Sequence, residues 1–205
     1  MEKILLFYGS PRKNGNSDIL ARAFLEGAKE KGAQTEAIRL FPMNITPCIE
    51  CGKCDETGEC ILDDDMKGIY PKIEDATVVA IASPMFFYNI TSKTQALVER
   101  SQAFWVRRYV LGQKQIGDSV KKGVFLSVGA TKGKLLFEGS LRVMRYFFDA
   151  IGGKLTASVL VRGMEKKGAI ESNEDALNSA RLLGGRIAEG QSIEDVPGIW
   201  LPGRK

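Results

Sequence analysis

Residues 4–8 read Ile-Leu-Leu-Phe-Tyr, an unbroken apolar run that passes into a loop of Gly, Ser, Pro and Asn and then into helical spacing. A strand with one wet face alternates apolar and polar side chains, whereas a strand covered on both faces reads as a continuous apolar run. Parallel strands of that kind must return through a crossover, usually a helix. The rest of the chain repeats the pattern. Over 17–31, Ile19, Leu20, Ala23, Phe24 and Ala28 recur at helical spacing, and residues 35–40 alternate as a more exposed second strand. Further strands are predicted over 77–83, 123–128 and 154–161, and helices over 92–104, 139–151 and 173–190. A short helix from about Asp64, with acids at its start, is disturbed by Gly68 and Pro71. The prediction is an α/β fold, a doubly wound five-stranded parallel sheet in the order 2-1-3-4-5. Ligands in such a sheet bind outside the carboxyl ends of the strands, which here means loops 9–16, 84–91 and 129–138.

At 205 residues, with no repeat, linker or low-complexity segment, the chain reads as a single domain over 1–205. A cysteine loop occupies 44–62 and a tail 191–205. No run approaches the roughly 20 apolar residues of a membrane span. The apolar opening is too short for a signal peptide and runs into a turn rather than a cleavage site. The expected location is cytoplasmic, away from membranes, so the sequons at Asn44 and Asn89 are coincidental. A net charge of +4 suits anionic ligands but is not a nucleic-acid signature.

All four cysteines, Cys48, Cys51, Cys54 and Cys60, fall within thirteen residues as C-x2-C-x2-C-x5-C, in a chain without histidine. Thiolates are soft ligands for iron–sulfur clusters, zinc or copper(I). The run begins like the bacterial ferredoxin spacing C-x2-C-x2-C-x3-C, whose last cysteine serves a second cluster. Structural zinc sites usually set two such knuckles a dozen or more residues apart. Redox-active free thiols and a disulfide remain open, the last disfavoured in a reducing compartment. Asp63, Asp64 and Asp65 read as a solvated helix start rather than a metal site.

The loop from Gly9 to Ser17 lies between the first strand and first helix. A helix N-terminus offers unpaired N–H groups and partial positive charge to a phosphate. Ser10, Asn16 and Ser17 add short polar groups, and Arg12 a charged donor. Neither a Walker A ending nor G-x-G-x-x-G is present, which counts against a dinucleotide. In the plainer reading, Ser-Pro and Asn-Gly make turns and Asn16 caps the helix.

The opening resembles the first loop, G-S-x-R-x-x-x-N-S, of the NADPH-dependent FMN reductase and flavodoxin-like group. The resemblance implies that Ser10, Arg12, Asn16 and Ser17 hold an FMN phosphate. Ser83-Pro84-Met85-Phe86-Phe87-Tyr88-Asn89 is similar to that group's second loop, S-P-x-Y-x-x-N, with Phe86 in place of tyrosine. Pro84, Met85, Phe86, Phe87, Tyr88 and Asn89 are thereby expected beside the ribityl chain and ring, with Gly129 and Ala130 in the third loop. Backbone N–H groups of residues 87–89 are candidates for the flavin N5 or pyrimidine edge. Met85, Phe86 and Tyr88 offer apolar surface, although Phe86 and Phe87 also read as core. With the cysteine insertion after the second strand, the resemblance narrows to iron–sulfur flavoproteins, which implies a 4Fe-4S cluster on the four cysteines.

No side chain is then expected to be catalytic, because the chemistry lies on FMN. Three functions follow: an FMN- and 4Fe-4S-dependent oxidoreductase, an NAD(P)H-dependent flavin or quinone reductase without a cluster, and a non-catalytic electron carrier. Small-molecule or protein redox partners are expected, with no nucleic acid. The aromatic and basic run Phe104-Trp105-Val106-Arg107-Arg108-Tyr109 suggests a subunit contact or flavin lid, and the Trp200 tail a contact with a neighbouring subunit. The expected assembly is a homodimer or homotetramer. In it a neighbour's flavin approaches the cluster more closely than the chain's own.

Overall fold

The computed structural model describes residues 1–113 and 120–202, so the last three residues of the predicted tail lie outside the described part. Strand β1 (Lys3–Tyr8) leads through a loop to α1 (Asn16–Glu30) and β2 (Gln34–Arg39). The cysteine loop follows, carrying the single turn α2 (Cys54–Thr57), then α3 (Met66–Asp75) and β3 (Val78–Pro84). Next come α4 (Ser92–Arg100), α5 (Gln102–Tyr109), β4 (Lys121–Val128), α6 (Glu138–Ala150) and β5 (Gly153–Val161). A 3-10 turn (Ala169–Ser172), α7 (Glu174–Ala188) and the short β6 (Ile199–Trp200) complete the described chain.

The sheet order is β2-β1-β3-β4-β5-β6, with the first five strands parallel. Ile4 and Leu6 point to the layer of α1 and α7, while Leu5 and Phe7 point to the layer of α3 to α6. Both faces of β1 are therefore dry, as its continuous apolar run requires. Helices α1 and α7 meet backbone to backbone at two glycines. A Cβ at Gly27 would overlap the Arg181 carbonyl, and one at Gly184 the Phe24 carbonyl. Among the described residues no helix is long and apolar enough to cross a membrane.

Three local expectations change. Helix α3 runs through Gly68 and Pro71, because Met66, Ile69, Tyr70 and Ile73 form one buried face whose packing outweighs the two poor helix formers. The helix expected over 92–104 is two helices that break at Ser101, whose hydroxyl donates back to the Leu97 carbonyl at 3.1 Å. Such back-bonding competes with the helical ladder and bends it. The tail turns onto its own sheet, where Trp200 and Ile199 pair antiparallel with Ser158 and Val159. Trp200 packs on the α3–α6 layer beneath the Arg145 guanidinium, 5.5 Å from the ring centroid. It covers an edge that would otherwise present unpaired backbone groups.

Candidate functional site

The loop after β1 is held closed by its own polar groups. Gly9 N–H donates to the Ala82 carbonyl on β3 at 2.7 Å. The Ser10 hydroxyl accepts from Arg12 N–H and donates to the Arg12 carbonyl, both at 3.1 Å. Asn14 takes a left-handed φ of 58°, tolerable for asparagine, and donates its N–H to Asp18 at 3.0 Å. Asp18 is buried and also accepts from Arg39 at 2.6 Å, and Arg39 in turn donates to the Ser10 carbonyl at 3.2 Å. The Asp18–Arg39 pair thus fixes the loop from beneath. Neither residue is among those singled out from sequence.

Ser17 is buried, and its hydroxyl has no hydrogen-bond partner. A buried orphan hydroxyl costs free energy unless something else satisfies it. It stands in the first turn of α1, where Gly15 supplies no side-chain cap. Donors and dipole therefore face an open space, the arrangement that holds a phosphate. Asn16 differs from expectation. Its side-chain amide donates to the Met164 and Lys166 carbonyls at 3.0 and 2.9 Å and accepts from Ile170 N–H at 3.3 Å. It neither caps α1 nor keeps a spare side-chain donor, and instead ties the first loop to the loop after β5.

A cavity of about 200 Å³ lies at this point, lined by Ser10, Arg12, Asn16, Ser17, Pro84, Met85, Phe86 and Ala130 of the predicted set. Met164, Glu165 and Lys167 also line it and were not expected. They follow β5, whose carboxyl end lies on the same edge of the sheet, so the switch-point rule already held the signal for them. Gly129 does not line the cavity and is joined to Val161 and Met164 by backbone bonds of 2.9 and 3.1 Å. Asn89 closes a tight turn. Phe86 and Asn89 exchange N–H···O bonds of 2.8 and 3.0 Å, so the Asn89 N–H is spent and is no candidate flavin donor. The N–H groups of Phe87 and Tyr88 have no partner among the described residues. Both take left-handed φ values, 50° and 61°, a strained choice for aromatic residues and one found at ligand-binding turns. Phe86 and Tyr88 are about half exposed and Phe87 fully so, which excludes the core reading. Tyr88 reaches across to Gly133, where a Cβ would overlap its hydroxyl.

The four cysteines line a second, larger cavity of about 760 Å³, together with Glu50, Asp55, Glu99 and Arg100 among others. No residue lines both cavities. Left-handed Glu50, Gly52 and Gly58 let the loop wrap this space. The loop is clamped by groups far along the chain: Asp64 accepts from Thr46 N–H at 3.0 Å, Asp65 from Asn44 N–H at 2.7 Å, and Arg107 donates to Gly58 at 2.7 Å. Asp64 is not solvated, as its place at a helix start suggested. Its side chain is 3% exposed and pairs with the fully buried Arg100 at 2.5 Å. Burial alone would raise the Asp64 pKa, but Arg100 and the Thr46 and Met66 N–H groups outweigh it and hold the carboxyl below its ordinary value. Burial, with help from Asp55, raises the Cys54 thiol. All four cysteines are unpaired. Among the described residues no three Cys, Asp or Glu side chains are gathered closely enough to hold a metal ion.

A parallel sheet with its ligand loops at the strand-order switch is the flavodoxin-like architecture. The chain belongs to the NADPH-dependent FMN reductase family, whose match spans residues 2–152, and it is an FMN-dependent oxidoreductase. It is 30% identical over 192 residues to an iron-sulfur flavoprotein of Methanocaldococcus jannaschii, covering 91% of this chain and 96% of that one. It is 35% identical over 130 residues to an iron-sulfur flavoprotein of Methanosarcina thermophila, covering 63% and 64%. In structure it is similar to an NAD(P)H:quinone oxidoreductase from Methanothermobacter marburgensis, with a TM-score of 0.70 at 21% identity, covering 91% and 96%.

Proposed function

We propose that this oxidoreductase carries a 4Fe-4S cluster beside FMN and passes electrons from a soluble donor, NAD(P)H in the first instance, to a small-molecule or protein acceptor. The observation that carries this reading is that every cysteine in the chain lines one cavity, separate from the one at the phosphate loop. Four thiolates are a soft donor set, and the run C-x2-C-x2-C opens as a ferredoxin's does, which favours a cluster over zinc. The names of the Methanocaldococcus and Methanosarcina relatives support the same assignment.

FMN fits the other cavity on the chemistry of its wall. Ser17 has a buried hydroxyl in need of a partner, α1 offers its N-terminal N–H groups, and Arg12 stands exposed at the rim. The volume is below that of a whole ligand pocket, so it takes the phosphate and chain, leaving the ring against the turn at 86–88. Bound FMN supplies hydride and single-electron chemistry, and the protein supplies position and electrostatics. Ser17, Arg12 and the first turn of α1 bind. The Asp18–Arg39 pair orients the loop. Met85 and Phe86 exclude water from one side.

The test is anaerobic purification followed by iron analysis, a visible spectrum and turnover with NAD(P)H. Roughly four irons per chain, with cluster absorption beside that of flavin, are expected. One zinc and no iron after anaerobic reconstitution contradicts the cluster and leaves a flavin reductase. No turnover with NAD(P)H contradicts the donor and leaves an electron carrier.

A further inference from the structure

Arg100 is the one cation among the residues lining the cysteine cavity, whose other charged groups are Glu50, Asp55 and Glu99. Its side chain is fully buried. One nitrogen, Nη1, is committed to Asp64 at 2.5 Å and to the Thr46 carbonyl at 2.9 Å. The other two, Nε and Nη2, are buried and have no partner. An arginine brings five N–H donors in a rigid fork, so fixing one corner fixes the direction of the rest. Leaving two nitrogens of a buried guanidinium unsatisfied is costly, and native structures rarely do it without a ligand. The Tyr70 hydroxyl donates to the Arg100 carbonyl at 2.9 Å, and Tyr70 belongs to the buried cluster against which Cys60 packs. Arg100 and Cys60 both line the cavity.

We propose that Arg100 donates from Nε and Nη2 to the sulfur of the group the cysteines hold, and so sets its reduction potential. This rests on the cluster reading above. Hydrogen bonds to the sulfurs are among the factors that set cluster potentials. One-electron reduction adds a negative charge to the group, and a buried cationic donor favours the more negative state. Arg100 therefore raises the potential. Asp64 moderates it by neutralising part of the same charge. Arg100 is a positioning and tuning residue and takes no part in hydride transfer.

The experiment is a potentiometric titration of the anaerobic holoprotein, followed by electron paramagnetic resonance, for the parent, Arg100→Gln, Arg100→Lys, Asp64→Asn and Asp63→Asn, with iron content measured on each. Arg100→Gln is expected to reduce the equilibrium constant for cluster reduction roughly tenfold, which is about 59 mV lower for one electron. Arg100→Lys keeps the charge but not the fork and falls between that and the parent. Asp64→Asn removes the counter-charge and moves the potential upward. Asp63→Asn, a neighbouring acid 88% exposed, leaves it unchanged. Full iron in Arg100→Gln with the parent's potential overturns the role of Arg100 and leaves the cluster standing. A parent without iron overturns the cluster and this inference with it. If Arg100→Gln does not fold, Asp64→Asn decides, and a potential equal to the parent's overturns the inference.

Discussion

Two buried acids, Asp18 and Asp64, each hold an arginine from elsewhere in the chain, and each pair fixes one loop, the one after β1 or the one that carries the cysteines. Asp18 with Arg39 braces the phosphate loop, and Asp64 with Arg100 braces the cysteine loop. Because Asp64 has a lowered pKa in the folded state, it stabilises the fold above the unfolded carboxylate value of about 3.9. That contribution is lost as pH falls through the lower folded value. Thermal unfolding between pH 5 and pH 2.5 should show a steep acid loss in the parent and a shallower one in Asp64→Asn, and parallel curves would contradict the pairing. Ser10, Arg12 and Ser17 could be singled out together because they sit in one loop, and all three line one cavity. Asp18–Arg39 was missed and Asp64 misread, because an ion pair between residues 21 or 36 positions apart leaves no local pattern. Asn16 shows the same limit: its type and place fit a ligand or a cap, but its partners lie about 150 residues away.

At the scale of elements, the five parallel strands and their helices were legible because burial on two faces writes continuous apolar runs and 3.6-residue periods. What the periods did not reveal was where a helix yields to a side-chain bond, as at Ser101, or where a short segment finds an edge to pair with, as β6 does on β5. Two residues of strand carry no period. Trp200 is half-buried against the α3–α6 layer, so Trp200→Ala should lower stability by about 1–2 kcal/mol, less than a fully buried aromatic loses. The check is chemical denaturation at two protein concentrations. A loss that depends on concentration would return the tail to a subunit interface.

At the scale of the whole molecule, the two cavities share no lining residue. We propose a homodimer or homotetramer in which α5 and α6 contribute to the contact. Phe104 and Val106 belong to the core and leave the interface to Trp105, Tyr109 and Tyr146, whose aromatic rings are exposed. Light scattering at micromolar concentration should show the parent above monomer mass and Trp105→Glu shifted toward monomer. A monomeric parent would remove the assembly, and with it the transfer of electrons between subunits. The central claim, that the FMN phosphate binds against α1, is tested most directly by titrating FMN and riboflavin into flavin-free parent and Arg12→Ala/Ser17→Ala protein. The parent should prefer FMN, and the double variant should lose about 2–5 kcal/mol of that preference while binding riboflavin as the parent does. A double variant that keeps the parent's full preference for FMN would place the phosphate elsewhere.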